Sequence, residues 1–444
     1  MVSLLLAPWL MLGCPSGEPS TDGPGGTTDR IDDSSSTADT SAATGETADS
    51  GDLGPPTTTY ESWLVAPASE GGLHTPFLAR DPSSGALYAT WGTRGNDGFT
   101  RVWIAASTDE GQTFSAPQQV SAPMHDATAS FPEGPVLTLG PDHLYLAYGA
   151  HELGGTPYTL YVIKAPLPPL PAGTTPPAVP LDMGLATRIV QPTNYHSMNY
   201  PTLAMGPDGL AWLALVASPV YDGRVWVARE ALGWAVEDVT AASPLAEPPC
   251  ECCPPAFGMD PSGRVLVGWR GDIEKDLFIA ESDGSGPFGG HRRITDTGIS
   301  DLICPQDGME FVHLDGAMHL AWSDARPAAG RGFVSTEGVD GWTHEPILTD
   351  SLEVQARVGA VPTDEGLLTH WDDGWGGDAY TAHVGSRRGQ RVAAAQGGPL
   401  GQLRAISTPS GPLGIGVDEA GSIWLVRLDR PLPDPDVRQQ TAPP

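Results

Sequence analysis

Four groups of residues in this 444-residue chain have the type and spacing to do chemistry. The first is a set of polar side chains placed just before or after apolar, β-rich runs. It comprises Arg94 and Asp97, His151 and Glu152, residues 194–200 (NYHSMNY), Arg270 with Asp272, Glu274, Lys275 and Asp276, Asp324 with Arg326, and Asp372, Asp373, Trp375 and Asp378. Guanidinium groups in such a set can grip a carboxylate through two parallel hydrogen bonds, which the point-like ammonium of Lys cannot do. The second is the four cysteines Cys250, Cys252, Cys253 and Cys304. Oxidised, they would form two disulfides; reduced, their thiolates could hold Zn²⁺ or Cu(I). C-x-C-C lacks the two-residue spacing of common zinc knuckles, and an even cysteine count would favour disulfides if the chain is exported, with three pairings open. The third, residues 371–378 (WDDGWGGD), offers oxygen ligands of the kind Ca²⁺ takes, although spacing alone makes no site and no metal or cofactor is expected. The fourth, the histidines, form no H-E-x-x-H pair, and G-x-S-x-G is absent, which excludes the usual zinc-protease and serine-hydrolase arrangements.

The elements that must position these residues follow from composition and repetition. A net charge of −31 repels a phosphate backbone and excludes nucleic acid as a partner. With 55 Gly, 45 Pro and 13 Trp the chain is turn-rich and all-β in character. Beyond residue 13 no apolar run is long enough to span a membrane as a helix. Residues 15–59 are Ser, Thr, Asp, Gly and Pro with one base, Arg30; they cannot bury enough surface to offset chain entropy and read as an extended acidic tether. Residues 431–444 read as a Pro-rich disordered tail.

Between these lies a repeat covering residues 60–430. Each copy is an apolar strand, a Gly/Asp turn and a second strand ending in an aromatic. Clear copies are 75–91 (TPFLARDPSSGALYATW), 131–148, 200–215 and 254–269; looser ones are 304–322, 355–371 and 411–424. A third β-rich strand follows most of them, as in 101–107 (RVWIAAS), 159–165, 224–230, 276–282 and 331–337, and a short fourth closes the unit. This is the pattern of a β-propeller of four-stranded antiparallel blades, and seven hairpins favour seven blades. The last copy lacks outer strands, and residues 61–67 (ESWLVAP) are available to complete it. In such a ring the loops carrying the polar set share the face around the channel mouth. Cys253 and Cys304 would begin neighbouring inner strands and could staple two blades. Residues 165–184 read as an exposed polyproline-like loop.

Two resemblances add to this reading. Ser107, Asp109, Gly111, Thr113 and Phe114 (STDEGQTF, 107–114) match the Asp-box or BNR pattern, with degenerate copies at 281–288 and 335–342. Residues 60–430 therefore resemble the sialidase-like superfamily, whose usual ring has six blades, the alternative to seven. C-x-C-C with the later Cys304 resembles a subgroup of secreted sialidase-like proteins. The start of the chain, MVSLLLAPWLMLGC, resembles a bacterial lipoprotein signal: residues 1–13 would be removed and Cys14 acylated, anchoring residues 14–59 to a bilayer. The sialidase resemblance implies a three-arginine clamp, for which Arg94, Arg270 and Arg326 are the candidates, and a Tyr–Glu nucleophile pair, Tyr200 or Tyr195 with Glu133. Asp272, Asp324, Asp372 and Trp375 are candidate ligand contacts. The first inner strand reads HTPFLARDP and lacks the family's Arg-Ile-Pro type motif. The expectation is a monomeric cell-envelope lipoprotein whose propeller binds a glycan or a surface protein; the alternative is an exo-acting sialidase or related glycoside hydrolase.

Overall fold

Alternation of buried and exposed residues, repeated with short Gly/Asp turns, makes almost every ordered segment a strand. The computed structural model describes residues 57–69, 73–123, 125–127, 134–152, 159–168, 186–189, 197–218, 223–241, 247–250, 253–296, 309–324, 331–347, 355–373, 377–386 and 389–433. The expectations for the signal, for Cys14, and for the tether up to residue 56 and the tail from residue 434 lie outside these residues, as do Glu133, Tyr195, Cys252, Cys304, Arg326 and Trp375; at the inner ends of tether and tail the disorder expectation is corrected, because Thr57–Thr59 pair with Arg391–Ala393 and Pro431 pairs with Tyr60.

The first sheet runs Leu73–Arg80, Leu87–Arg94, Thr100–Ser107 and Gln118–Gln119 in order. The second sets His125–Ala127 and Val136–Leu139 on His143–Glu152, followed by Thr159–Pro166 and Thr187–Arg188. The third is Ser197–Met205, Ala211–Ser218, Arg224–Arg229 and Val236–Asp238. The fourth is Ala256–Met259, Val265–Arg270, Leu277–Ser282 and Gly289–Arg293, and the fifth Met309–Leu314, Ala317–Asp324, Arg331–Gly338 and Gly341–Pro346. The sixth has eight strands: Gln355–Thr363, Gly366–Asp373, Ala379–His383, Gln390–Ala394, Gly398–Ile406, Leu413–Asp418, Ile423–Pro431 and, last, Thr57–Ala66. Among the described residues the only helix is a single 3₁₀ turn, Glu230–Leu232.

The inner strands meet in a cycle. Leu73–Arg80 touches Val136–Leu139, which touches Ser197–Met205; contacts pass on through Ala256–Met259, Met309–Leu314, Gln355–Thr363 and Gly398–Ile406 back to Leu73–Arg80. The strand containing residues 61–66 pairs antiparallel with Ile423–Pro431, with Trp63 opposite Leu425. Its first four residues also pair in parallel with Arg391–Ala394, a stitch that the sequence reading does not anticipate.

In five units the aromatic ending the second strand sits opposite a partner on the third; the expected copy 411–424 is corrected, since Gly398–Ile406 is the inner strand of its unit and Trp424 lies on the third strand, opposite Gly416. The pairs are Trp91 with Trp103, Tyr148 with Tyr161, Trp269 with Phe278, Trp322 with Phe333 and Trp371 with Tyr380; in the third sheet Leu215 faces Trp226. Trp322 and Phe333 stack with ring centroids 4.7 Å apart. Such pairs add about 0.5–1.5 kcal/mol each beyond the area they bury. In the turn at residues 107–114, Asp109 accepts the Thr113 amide (2.9 Å) and hydroxyl (2.5 Å), and the Ser107 hydroxyl accepts the Gly111 amide at 2.9 Å. Gly111 has φ +89°, and a Cβ there would lie 2.0 Å from Leu425 Cδ2, so only glycine fits. Phe114 packs on the core shared by the first sheet and the closing strands.

Candidate functional site

Four inner strands carry the same irregularity at the same point. Their pairing with the second strand breaks between His74 and Phe77, Asn199 and Thr202, Ala356 and Gly359, and Gly401 and Arg404, each time with one extra residue. The residue following the break is non-glycine with positive φ: Thr75 (45°), Tyr200 (58°), Arg357 (52°) and Gln402 (55°). This left-handed conformation costs of order 1 kcal/mol per residue, and bulges that carry it re-aim side chains. Here the Gln402 side chain reaches the neighbouring inner strand at Thr75, and Arg357 faces Asp372.

The result is a polar cluster where Gln355–Thr363, Gly398–Ile406 and Leu73–Arg80 adjoin. The Thr75 amide donates to Gln402 Oε1 at 2.8 Å. Asp372 is fully buried; it accepts the Gln402 and Leu403 amides (3.2 and 3.3 Å) and lies 3.4 Å from Arg357 Nη1. Burial pushes its carboxyl up to about 6, against the opposing pull of Arg357, the Leu403 amide, Arg404 and the Gln402 amide. Beside it, His370 Nε2 lies 3.7 Å from Glu310 Oε2. Glu310 keeps 34% of its side chain open. Dehydration there raises it to about 7, opposed by Arg404 and the Ala360 amide. His370 is 1% exposed, neither ring nitrogen has a hydrogen bond, and burial with the Arg404 charge lowers it to about 3, so it is neutral at physiological pH. The pair is therefore no salt bridge at neutral pH. Gly359 makes room for it: a Cβ there would sit 2.2 Å from Glu310 Oε2 and 2.4 Å from His370 Nε2. Arg404, partly exposed, enters no hydrogen bond or ion pair among the described residues.

Of the expected site residues that are described, Asp372 lies in this cluster. Arg94 is exposed at the end of its strand. Arg270 is 1% exposed, and its guanidinium donates to the carbonyls of Lys275 (2.9 Å) and Ser323 (2.6 Å) over the Trp322 ring, tying the fourth sheet to the fifth. Among the described residues no three-arginine clamp forms, because the Arg270 side chain is turned into an intersheet seam. Tyr200 is half-buried at its bulge. Asp272 is exposed and holds Lys275 at 2.9 Å, whereas Asp324 is buried opposite Arg331. The sulfurs of Cys250 and Cys253, both buried, are 3.4 Å apart, beyond the length of a bond between them. Sequence reasoning missed Glu310, Arg357, Gln402 and Arg404, and weighed His370 only for metal-type spacing. The one available signal was polar residues inside otherwise apolar inner strands.

No family model matches the sequence, and no curated protein does. Among solved structures, a protein of unknown function from Dyadobacter fermentans is 13% identical, covers 84% of this chain and all of its own, and gives a TM-score of 0.46. A Trypanosoma rangeli sialidase bound to the inhibitor DANA is 10% identical, with 86% of this chain and 59% of that chain covered and a TM-score of 0.46. The polysaccharide lyase Uly1 is 11% identical, with 80% and 90% covered and a TM-score of 0.47. Likenesses this distant carry no argument about activity, and the fold rests on this chain's own strand order and register.

Proposed function

We propose that this chain is a seven-bladed propeller, held at a cell-envelope surface by acylated Cys14 and the 14–59 tether, that binds an acidic glycan at its ring without turning it over. Seven blades are supported by the cycle of seven inner strands, with the eight-stranded sheet counted as two units stitched by Thr57–Ala66. The signal-like start and the acidic tether composition support the anchor.

The observation that carries the binding reading is Arg404, a guanidinium with no hydrogen bond or ion pair among the described residues, close enough to Glu310 for its charge to act on that carboxyl. An unpaired guanidinium recognises a carboxylate, and a carboxyl that is protonated below about pH 7 can donate a hydrogen bond to the same ligand. Glycosidic hydrolysis ordinarily needs two carboxyl groups facing the bond. Of the two here, Asp372 is closed off by Arg357 and two amides, leaving Glu310 alone. One observation favours the hydrolase alternative: a carboxyl near 7 holds a proton at neutral pH, as a general acid does.

The test is retention of the full-length chain on a panel of neutral and carboxylated oligosaccharides, with release of reducing ends and cleavage of a fluorogenic sialoside followed in parallel. The expected result is retention by carboxylated glycans with no turnover. Equal retention on neutral glycans, or none at all, would overturn the binding reading. Turnover lost in Glu310→Gln would establish the hydrolase.

A further inference from the structure

The segment that leads into the inner strand Ala256–Met259 carries Cys250 and Cys253 in C-x-x-C spacing. It is seated on the turn at residues 271–276, between the second and third strands of the same sheet. Pro249 bridges Gly271, the Cys250 amide donates to the Arg270 carbonyl and the Asp272 amide to the Pro248 carbonyl, both at 2.8 Å, and Glu247 Oε1 accepts the Ile273 and Glu274 amides at 2.7 Å. The Cys253 amide donates back to the Cys250 carbonyl at 3.3 Å, which closes a four-residue turn. Such a turn brings its end Cα atoms within about 7 Å, and a disulfide spans about 4.4–6.8 Å between Cα atoms. The two sulfurs already lie 3.4 Å apart, so side-chain rotation can join them with the turn in place.

A third group faces this pair. Lys275 Nζ lies 4.0 Å from Cys250 Sγ and 2.9 Å from Asp272 Oδ1. Lys275 holds φ 58°, a left-handed conformation that a non-glycine residue adopts at a cost. An ammonium so placed favours the anionic sulfur, which is the form that attacks a disulfide and the form that leaves when one is reduced.

We infer that Cys250 and Cys253 are a redox-active pair that cycles between dithiol and disulfide by exchange with low-molecular-weight disulfides and thiols. The Cys250 thiolate, beside Lys275, attacks one sulfur of the small disulfide, breaking its S–S bond, releasing one thiol and forming a mixed disulfide. The Cys253 sulfur, having given up its proton, then attacks Cys250 Sγ and releases the second thiol. One S–S bond forms and one breaks, and two electrons and two protons pass from the pair to the oxidant. Both cysteines are 1% exposed, and the Lys275 side chain is 14% exposed, so the exchanging partner is small and enters where Lys275 and Asp272 part. A bridge inside one turn leaves neighbouring sheets unlinked, unlike a staple between Cys253 and Cys304, and the inference is independent of the glycan reading.

The test equilibrates the full-length chain and its variants in glutathione buffers of graded ratio, quenches by alkylation and reads the cysteine peptides by mass. In oxidised Cys252→Ser, Cys250 and Cys253 should be bridged within one peptide and Cys304 alkylated. A bridge from either residue to Cys304, or no bridge, would overturn the pairing. Lys275→Met should need at least about a fivefold higher ratio of squared glutathione to glutathione disulfide for half-reduction, while Lys275→Arg stays within about twofold of the parent. A Met variant equal to the parent would overturn the role of Lys275, and a parent pair that stays oxidised across the whole range would overturn redox activity and leave a permanent bridge.

Discussion

Replacing Glu310 with Gln should leave stability nearly unchanged at pH 4 and raise it at pH 8. In the unfolded chain this carboxyl titrates near 4.5; in the fold dehydration moves it to about 7. Between those values the folded protein keeps a proton that the unfolded chain has released, so stability falls as pH rises through the interval. Above it both states are ionised and the whole difference is lost; below it both are protonated and nothing is lost. The interval corresponds to about 3 kcal/mol if no water reached the group, and to about 1–2 kcal/mol once its open third is screened. Gln is uncharged at every pH and close in shape to protonated Glu, so the variant escapes the loss. The neighbouring titrations of Asp372 (about 6) and His370 (about 3) occur in both proteins and largely cancel in the difference. Urea unfolding followed by tryptophan fluorescence at pH 4, 6 and 8 measures it. A variant-minus-parent difference that stays constant with pH, or grows toward acid, would refute the reasoning.

Other expectations follow from packing. Trp322→Ala removes a 2% exposed indole that stacks on Phe333 and donates to Ser335 Oγ at 2.8 Å; unfolding should show a loss of about 3–5 kcal/mol, and a loss under about 1 kcal/mol would contradict the paired-aromatic core. Gly359→Ala drives a Cβ into Glu310 and His370, so a loss of about 1–3 kcal/mol should register in the same assay, and Gly359→Ala combined with Glu310→Ala should recover part of it.

The sequence displays the fold more openly than the site, for a physical reason. Strand repeats are written locally, in alternation, in turn residues, and in an aromatic at the end of most second strands; five of those aromatics meet aromatic partners on the third, whereas Trp424 of the last copy sits on a third strand itself. Residues 61–67 are legible as a closing strand because the last hairpin leaves an edge uncovered. The bulges are not legible: Thr75, Tyr200, Arg357 and Gln402 share no side-chain chemistry, and what unites them is a left-handed backbone conformation at a break in strand register. Arg270 shows the limit from the other side. Its position after a second strand suggests the mouth, but its guanidinium is held by a carbonyl 53 residues away in sequence, a contact no local pattern encodes. Glu310 and His370 likewise come from different units and meet only because Gly359 leaves the space.

The most direct test of the ring as an acidic-glycan site is a calorimetric titration of a carboxylated oligosaccharide retained in the panel into the parent chain and into Arg404→Ala at pH 6. The expected result is an affinity lower by at least tenfold in the variant, with an unchanged melting temperature and no product formed. Equal affinity in the two proteins would contradict the assignment of Arg404 as the ligand-holding cation.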